Sequence, residues 1–195
     1  MLYYNTNKEE GKKHLLIDVK KAFDSINRDK LRFMLAENFS GDNLNLILNF
    51  LDIYDTIEID ILGSKIYPTK GGPQGSAIIP IIFCYYLNKS LQNLNLKKCV
   101  KLQAYADDMV ILSNDIKDLN DSYITLKKSL QNYDLIINPE KCKLLSDNIE
   151  DKISDEDEGI DILARKEVTY LGQKINKYGE ACQIIDEKLF GFHQK

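Results

Sequence analysis

The segment Tyr105-Ala106-Asp107-Asp108 constrains the fold of this chain more than any other feature. Its two adjacent carboxylates stand between two short apolar stretches, Leu102–Ala106 and Met109–Leu112. Side chains alternate faces along a strand, so neighbouring aspartates can both project usefully only at a tight turn. The pattern predicts a β-hairpin with two anions at its tip. Two neighbouring carboxylates repel, and one stays protonated at neutral pH unless a cation sits between them. Hard oxygen ligands of this kind suit Mg²⁺, which keeps several waters and shares substrate phosphates. A solvated Asp-Asp turn is the plainer reading of such a pair taken alone.

A second apolar stretch, Leu15-Leu16-Ile17-Asp18-Val19, carries one acid. An unpaired Asp buried in a strand is costly, so Asp18 lies either at an edge in water or in a site. Between the two acidic segments lies Gly71-Gly72-Pro73-Gln74-Gly75-Ser76, followed by the apolar run Ala77–Leu87. Glycines permit close backbone approach to a ligand, and the N-terminus of a following helix favours an anion.

These segments together resemble a known family. Asp18–Asp24, Gly71–Pro80, Tyr105–Asp108, Asn138–Lys141 and Tyr170–Gly172 resemble motifs A to E of the reverse transcriptase palm, in that order. Ala22-Phe23-Asp24, the hairpin Ile57–Tyr67 before Lys70-Gly71, and Asn138-Pro139-Glu140-Lys141 look closer to non-LTR retrotransposon and group II intron enzymes than to retroviral ones.

The resemblance implies an RNA-directed DNA polymerase that transfers a nucleotide onto a primer 3′-end with two Mg²⁺ (or Mn²⁺) ions. By the same resemblance Asp18 and Asp107 bridge the metals and Asp108 assists. Lys141 helps neutralise or protonate the pyrophosphate, or is a surface lysine. Phe23 excludes the ribose 2′-hydroxyl, and Gln74 and Gly75 approach the incoming nucleotide. Tyr170, Leu171 and Gly172 grip the primer end, although Tyr170 could equally be a packed strand aromatic. The implied partners are an RNA template with a DNA primer and deoxynucleoside triphosphates. Ile79 stands where family members often carry Ser before the proline. An RNA-dependent RNA polymerase palm resembles this layout but usually carries an Asp at the position of Phe23. A non-catalytic retroelement remnant is the other alternative.

Composition fits one domain: 195 residues, 44% hydrophobic. No stretch approaches the ~18 apolar residues of a membrane span. The N-terminus lacks a signal-peptide core, so no membrane association is expected. Cys84, Cys99, Cys142 and Cys182 are widely spaced and read as reduced thiols of an intracellular protein. The formal charge of −4 is low for a nucleic-acid binder. Much of it comes from Asp147–Asp161, which holds eight of the 30 acids and one of the 26 bases. That run reads as a solvated acidic loop.

Periodicity predicts a strand over Lys13–Val19, an Asn27-capped helix over Arg28–Phe39 and a helix over Leu44–Tyr54. It further predicts a half-buried strand over Ile57–Ile61 that turns at Gly63-Ser64 into Lys65–Pro68. A helix from Ser76 to Leu91 and an Asp115-capped helix to about Tyr133 follow. Short strands over Leu135–Ile137 and Cys142–Leu145 precede a final strand, Val168–Ile175. The expected fold is α+β, an antiparallel sheet with helices packed on one face around a ferredoxin-like core. The expected organisation is a loose segment 1–12, a palm over 13–176 with an acidic loop insertion at 147–163, and a truncated thumb or tail over 177–195. Family members carry fingers before the Asp18 strand and a full thumb after the Tyr170 strand. The expectation is therefore an isolated palm with little activity alone, lacking fingers and thumb segments or a partner chain that supplies them.

Overall fold

The computed structural model describes residues 12–72, 75–170 and 173–176. Along the chain run β1 (Lys13–Ile17), a 3-10 turn (Phe23–Ser25), α1 (Arg28–Asn38), α2 (Gly41–Asp55), β2 (Ile59–Ile61), β3 (Ser64–Ile66) and α3 (Ile79–Leu91). Then follow β4 (Lys101–Tyr105), β5 (Asp108–Ser113), α4 (Ile116–Gln131), β6 (Lys143–Leu145), β7 (Lys152–Asp155), β8 (Ile160–Arg165), β9 (Glu167–Tyr170) and β10 (Gln173–Asn176). The class is α+β. Contacts divide the chain into two compact units. Of the described residues, one comprises those up to Val19, Asn95–Lys127 and those from Ile137; the other comprises those within Lys20–Leu94 and Lys128–Ile136.

The first unit is built on a six-stranded sheet in the order β4-β5-β1-β6-β8-β7. Strands β1 and β5 are its centre, paired antiparallel from Lys13–Ser113 to Ile17–Met109. Both faces of this pair are buried, which is why Leu15-Leu16-Ile17 and Met109–Leu112 are continuous apolar runs instead of alternating ones. Leu15, Ile17, Met109, Ile111 and Leu144 occupy one face, all nearly inaccessible. Leu16, Val110, Leu112 and Leu145 form the other, packed with Val168 and Ile175 of the β9–β10 hairpin. A fully buried Leu or Ile contributes about 1.5–3 kcal/mol, so these strands anchor the unit. Leu119, Tyr123 and Leu126 of α4 are also fully buried.

The acidic segment departs from expectation. Asp147–Asp161 is not a solvated loop: β7 and β8 pair antiparallel across it and extend the sheet. Strand β8 runs parallel to β6, so the sheet is mixed and not purely antiparallel. The run folds with its buried acids paired. Asp151 meets Lys13 at 2.8 Å, Asp155 meets Lys127 at 2.5 Å and the Tyr123 hydroxyl, and Asp161 meets Lys152 at 2.8 Å. Burial pushes the Asp155 carboxyl up, but the hydrogen bonds from Lys127 and Tyr123 outweigh it and hold it below the usual range. Composition registers the charge count and not the partners, of which Lys13, Tyr123 and Lys127 lie outside the run.

In the second unit, the Asn27 side chain caps α1 as expected, accepting from the Asp29 and Lys30 amides. Helix α4 ends in this unit on a Schellman-type cap: Asp134 has φ +58° and the Leu135 amide donates to Leu130 at 3.0 Å. That cap leaves Leu135–Ile137 without a strand of its own; Ile137 makes a single bridge, to Val19 within the first unit. Asn27 and Lys30 hydrogen-bond the Asp134 carboxylate, with Lys70 nearby, and hold its pKa down at about 2. Strands β2 and β3 form an isolated ribbon turning through Leu62 and Gly63, both at positive φ. Every residue of the ribbon is exposed, so of the expected half-buried strand Ile57–Ile61 only Ile57, before the ribbon, is partly buried: two strands outside a larger sheet have no layer against which to bury a face. Helix α3 begins at Ile79 instead of Ser76. The Ser76 hydroxyl is hydrogen-bonded to Tyr54 at 2.8 Å, Gly75 has φ +88°, and Pro80 starts the helix because it lacks only an N–H that would have no partner there.

Among the described residues no helix is long and apolar enough to cross a membrane. Cys84, Cys99 and Cys142 are free thiols.

Candidate active site

The β4–β5 hairpin turns through only two residues, Ala106 and Asp107, with Tyr105 paired to Asp108. Ala106 takes φ +53°, a left-handed conformation that two-residue hairpins demand and that alanine adopts at a cost. Asp107 therefore sits in the turn and Asp108 is the first residue of β5. Continuing the β1–β5 register one step past Ile17–Met109 brings Asp18 level with Asp108. By strand alternation both belong to the face of Leu16 and Val110. The sequence separates these acids by about ninety positions, and antiparallel pairing returns them to one end of the central strands.

The Asp18 carboxylate is half-buried. Its Oδ2 is inaccessible and accepts no hydrogen bond. Buried carboxylate oxygens are rarely left so. The Asp18 carbonyl accepts from the Asn138 amide at 2.8 Å, and the turn Asn138–Cys142 is closed by amides of Lys141 and Cys142 donating to the Asn138 carbonyl. This turn carries Lys141 to the site: its ammonium lies 4.0 Å from Asp18 Oδ2, an ion-pair distance but too long for a hydrogen bond. Burial, then the negative charges of Asp107 and Asp18, push the Asp108 carboxyl above its ordinary pKa. Burial pushes the neighbouring Cys142 thiol up to about 12, so it is an inert packing residue and no nucleophile.

Among the described residues, no three His, Cys, Asp or Glu side chains close into a cage for a metal ion. What the site offers is an open set of three carboxylates with one orphaned oxygen and one carboxyl pushed toward its neutral form. This donor set fits a hard divalent cation shared with substrate oxygens better than an all-protein site.

The remaining predicted residues divide by position. Phe23, in the second unit, is half-buried with its ring against Phe83 of α3, centroids 5.0 Å apart. Gly75 is described and exposed, while Gln74 lies outside the described residues. Tyr170 ends β9, paired in register with Gln173; Leu171 and Gly172, between those strands, lie outside the described residues. Sequence reading passed over Arg28. An arginine at the first position of a helix looks like a solvated cation, yet Arg28 is 3% exposed and donates to three backbone carbonyls, those of Pro68, Lys70 and Gly71. Nothing in the local sequence signals this.

Comparison with known proteins agrees with the resemblance. The family described as "Reverse transcriptase (RNA-dependent DNA polymerase)" matches residues 3–175. The chain is 27% identical over 158 residues to a "Retrovirus-related Pol polyprotein from type-1 retrotransposable element R2" of Popillia japonica, covering 74% of this chain and 26% of that protein. It is 26% identical over 186 residues to a protein of the same name from Nasonia vitripennis, covering 84% of this chain and 18% of that one. The chain thus spans about a quarter or less of the length of these relatives. Among solved structures, it resembles apo telomerase of Candida tropicalis with a TM-score of 0.60 at 16% identity, over 86% of this chain and 31% of that one. Candida albicans telomerase in complex with a fragment of telomeric RNA gives 0.51 at 16%, over 85% and 29%. At such identity the structural likeness speaks for the fold.

Proposed function

Because the chain belongs to the reverse transcriptase family, we propose that it is the palm segment of an RNA-directed DNA polymerase acting on a primer annealed to an RNA template. The observation that carries this reading is the convergence of Asp18 and Asp108 at one end of β1 and β5, with Asp107 in the adjoining turn and Asp18 Oδ2 buried without a hydrogen-bond partner. Asp18, Asp107 and Asp108 are the residues that would hold Mg²⁺ or Mn²⁺. Divalent cations bound there supply charge that activates an attacking hydroxyl and stabilises a leaving phosphate oxygen.

The chain's own residues supply the rest. The half-buried Asp18, with one oxygen that accepts no hydrogen bond, is poised for a cation and a primer 3′-hydroxyl, and the crowding that raises Asp108 is what such a cation would relieve. Lys141 is 69% exposed, so its ammonium is free to swing from Asp18 toward the leaving pyrophosphate and meet its negative charge there. The Phe23 ring, held by Phe83, selects deoxyribose by occupying the volume a 2′-hydroxyl needs. Gln74 and Gly75 meet the incoming deoxynucleoside triphosphate, and Tyr170, Leu171 and Gly172 hold the primer terminus.

The test is single-nucleotide addition. The 195-residue chain, given Mg²⁺ or Mn²⁺, a DNA primer on an RNA template and one deoxynucleotide, is expected to add one residue. Asp18→Asn and Asp107→Asn are expected to add none. Addition that survives both substitutions would remove the proposed site.

A further inference from the structure

We propose that Arg28 is a positioning residue for nucleotide selection: it clamps the Pro68–Gly71 backbone against the turn that carries Phe23. The inference rests on the polymerase reading and adds to it a residue that contacts no substrate.

The geometry lies wholly within the second unit. Arg28 Nη1 donates to the carbonyls of Gly71 at 2.9 Å and Lys70 at 3.2 Å, and Nη2 donates to that of Pro68. Its Nε donates to Asp55 Oδ1 at 2.7 Å, which balances a charge that burial would otherwise make costly. Beside these bonds the Gly71 amide donates to Ile26 at 2.8 Å, and Asn27 bridges to Lys70. One guanidinium therefore collects three carbonyls of a segment that has no strand partner beyond that single bridge. A lysine could not do this, because its three donors radiate from a single point.

The clamp reaches Phe23 through backbone contact. Gly71 has φ +66°, and a Cβ there would stand 2.6 Å from Asp24 Cα and 2.8 Å from the Phe23 carbonyl oxygen. The two backbones already touch, so any drift of Pro68–Gly71 displaces the Phe23 turn. On its other side the Phe23 ring packs on Phe83, in the helix that follows Gly75. The backbone support of the ring is thus tied to the segment that Arg28 holds, and α3 supplies the other.

The experiment compares wild type, Arg28→Lys and Arg32→Lys in single-nucleotide addition, titrating deoxy- and ribonucleotides separately. Arg32 also pairs with Asp55, but among the described residues no loop carbonyl accepts from it, so it controls for replacing an α1 guanidinium that pairs with Asp55. Arg28→Lys is expected to raise the deoxynucleotide KM roughly tenfold, with a smaller change in kcat, and to narrow the preference over ribonucleotides. Arg32→Lys is expected to leave both unchanged. A fall in kcat alone, at wild-type KM and preference, overturns the proposal, because lost stability only reduces the active fraction. Amide exchange at Gly71 provides a reading free of catalysis: it is expected to quicken in Arg28→Lys and not in Arg32→Lys, and equal exchange overturns the clamp. Should Arg28→Lys not fold, Asp55→Asn is expected to move KM and preference in the same direction by less; wild-type values overturn the proposal. Wild type that adds no nucleotide even when joined to the fingers and thumb segments of a related enzyme fails the polymerase reading itself, which separates the two failures.

Discussion

The Lys141 ammonium stands 4.0 Å from Asp18 Oδ2, a carboxylate oxygen that is buried and accepts no hydrogen bond. The two residues are 123 positions apart in the chain. The Asn138 amide, bonded to the Asp18 carbonyl, sets the spacing. A lysine held close to an acid without capturing it leaves that acid available to another cation.

Divalent cations should stabilise the protein, and the effect should depend on pH. Mg²⁺ or Mn²⁺ is expected to raise Tm of wild type and not of Asp107→Asn, through binding to the folded state alone. Asp108 has a raised pKa, so at low pH a cation must displace its proton. The Tm increment is therefore expected to grow as pH rises through the Asp108 pKa and to shrink below it. Thermal melts with and without the ion, at pH values stepped upward from the ordinary carboxylate range, measure this; an increment that falls with rising pH contradicts the assignment.

Sugar choice should rest on Phe23. Replacing it with Val removes ring volume without touching the carboxylates, so ribonucleotide incorporation is expected to rise relative to deoxynucleotide incorporation, roughly 10- to 200-fold in ratio. Competition between the two nucleotides in single-turnover addition reads the ratio. A wild-type chain that already prefers ribonucleotides would point to an RNA polymerase instead.

His14 should make the fold acid-sensitive. Burial, then the charge of Lys12, lowers its pKa from 6.5 to about 4, and its Nδ1 is buried without a hydrogen-bond partner. The unfolded chain takes up a proton near pH 6.5, whereas the folded one resists until about pH 4. His14 therefore costs nothing above its unfolded pKa, and stability falls as pH drops between those values, by roughly 3 kcal/mol at most. His14→Leu, with Leu112 and Leu145 as cross-strand neighbours, is expected to remove this slope. Urea unfolding of both proteins at several pH values across that window decides it.

The acidic hairpin should depend on one buried pair. Lys127 and Asp155 are both nearly inaccessible and lie 2.5 Å apart. Lys127→Met leaves Asp155 charged and without its main partner, an expected loss of about 3–5 kcal/mol. Adding Asp155→Leu should restore much of that loss, since the uncompensated charge goes with it. Denaturant midpoints of the single and double variants provide the measurement.

Much of the site was legible in the sequence because its signals are local. An Asp-Asp pair between apolar stretches requires a hairpin, and a lone acid at the end of Leu15-Leu16-Ile17 requires a reason to be there. Asn27 and Asp115 cap the helices they precede through side chains that reach only two or three residues ahead. What tertiary structure alone decided is whatever depends on partners far along the chain. Register brought Asp18 level with Asp108 and left Asp107 in the turn. Lys13, Tyr123 and Lys127 turned an acidic stretch into two strands of the sheet. Three loop carbonyls made Arg28 a buried residue instead of a surface one. Charge, hydropathy and spacing describe what each residue prefers when water is its neighbour. Burial and pairing replace that water with specific groups, and their identity is settled only when the strands and helices meet.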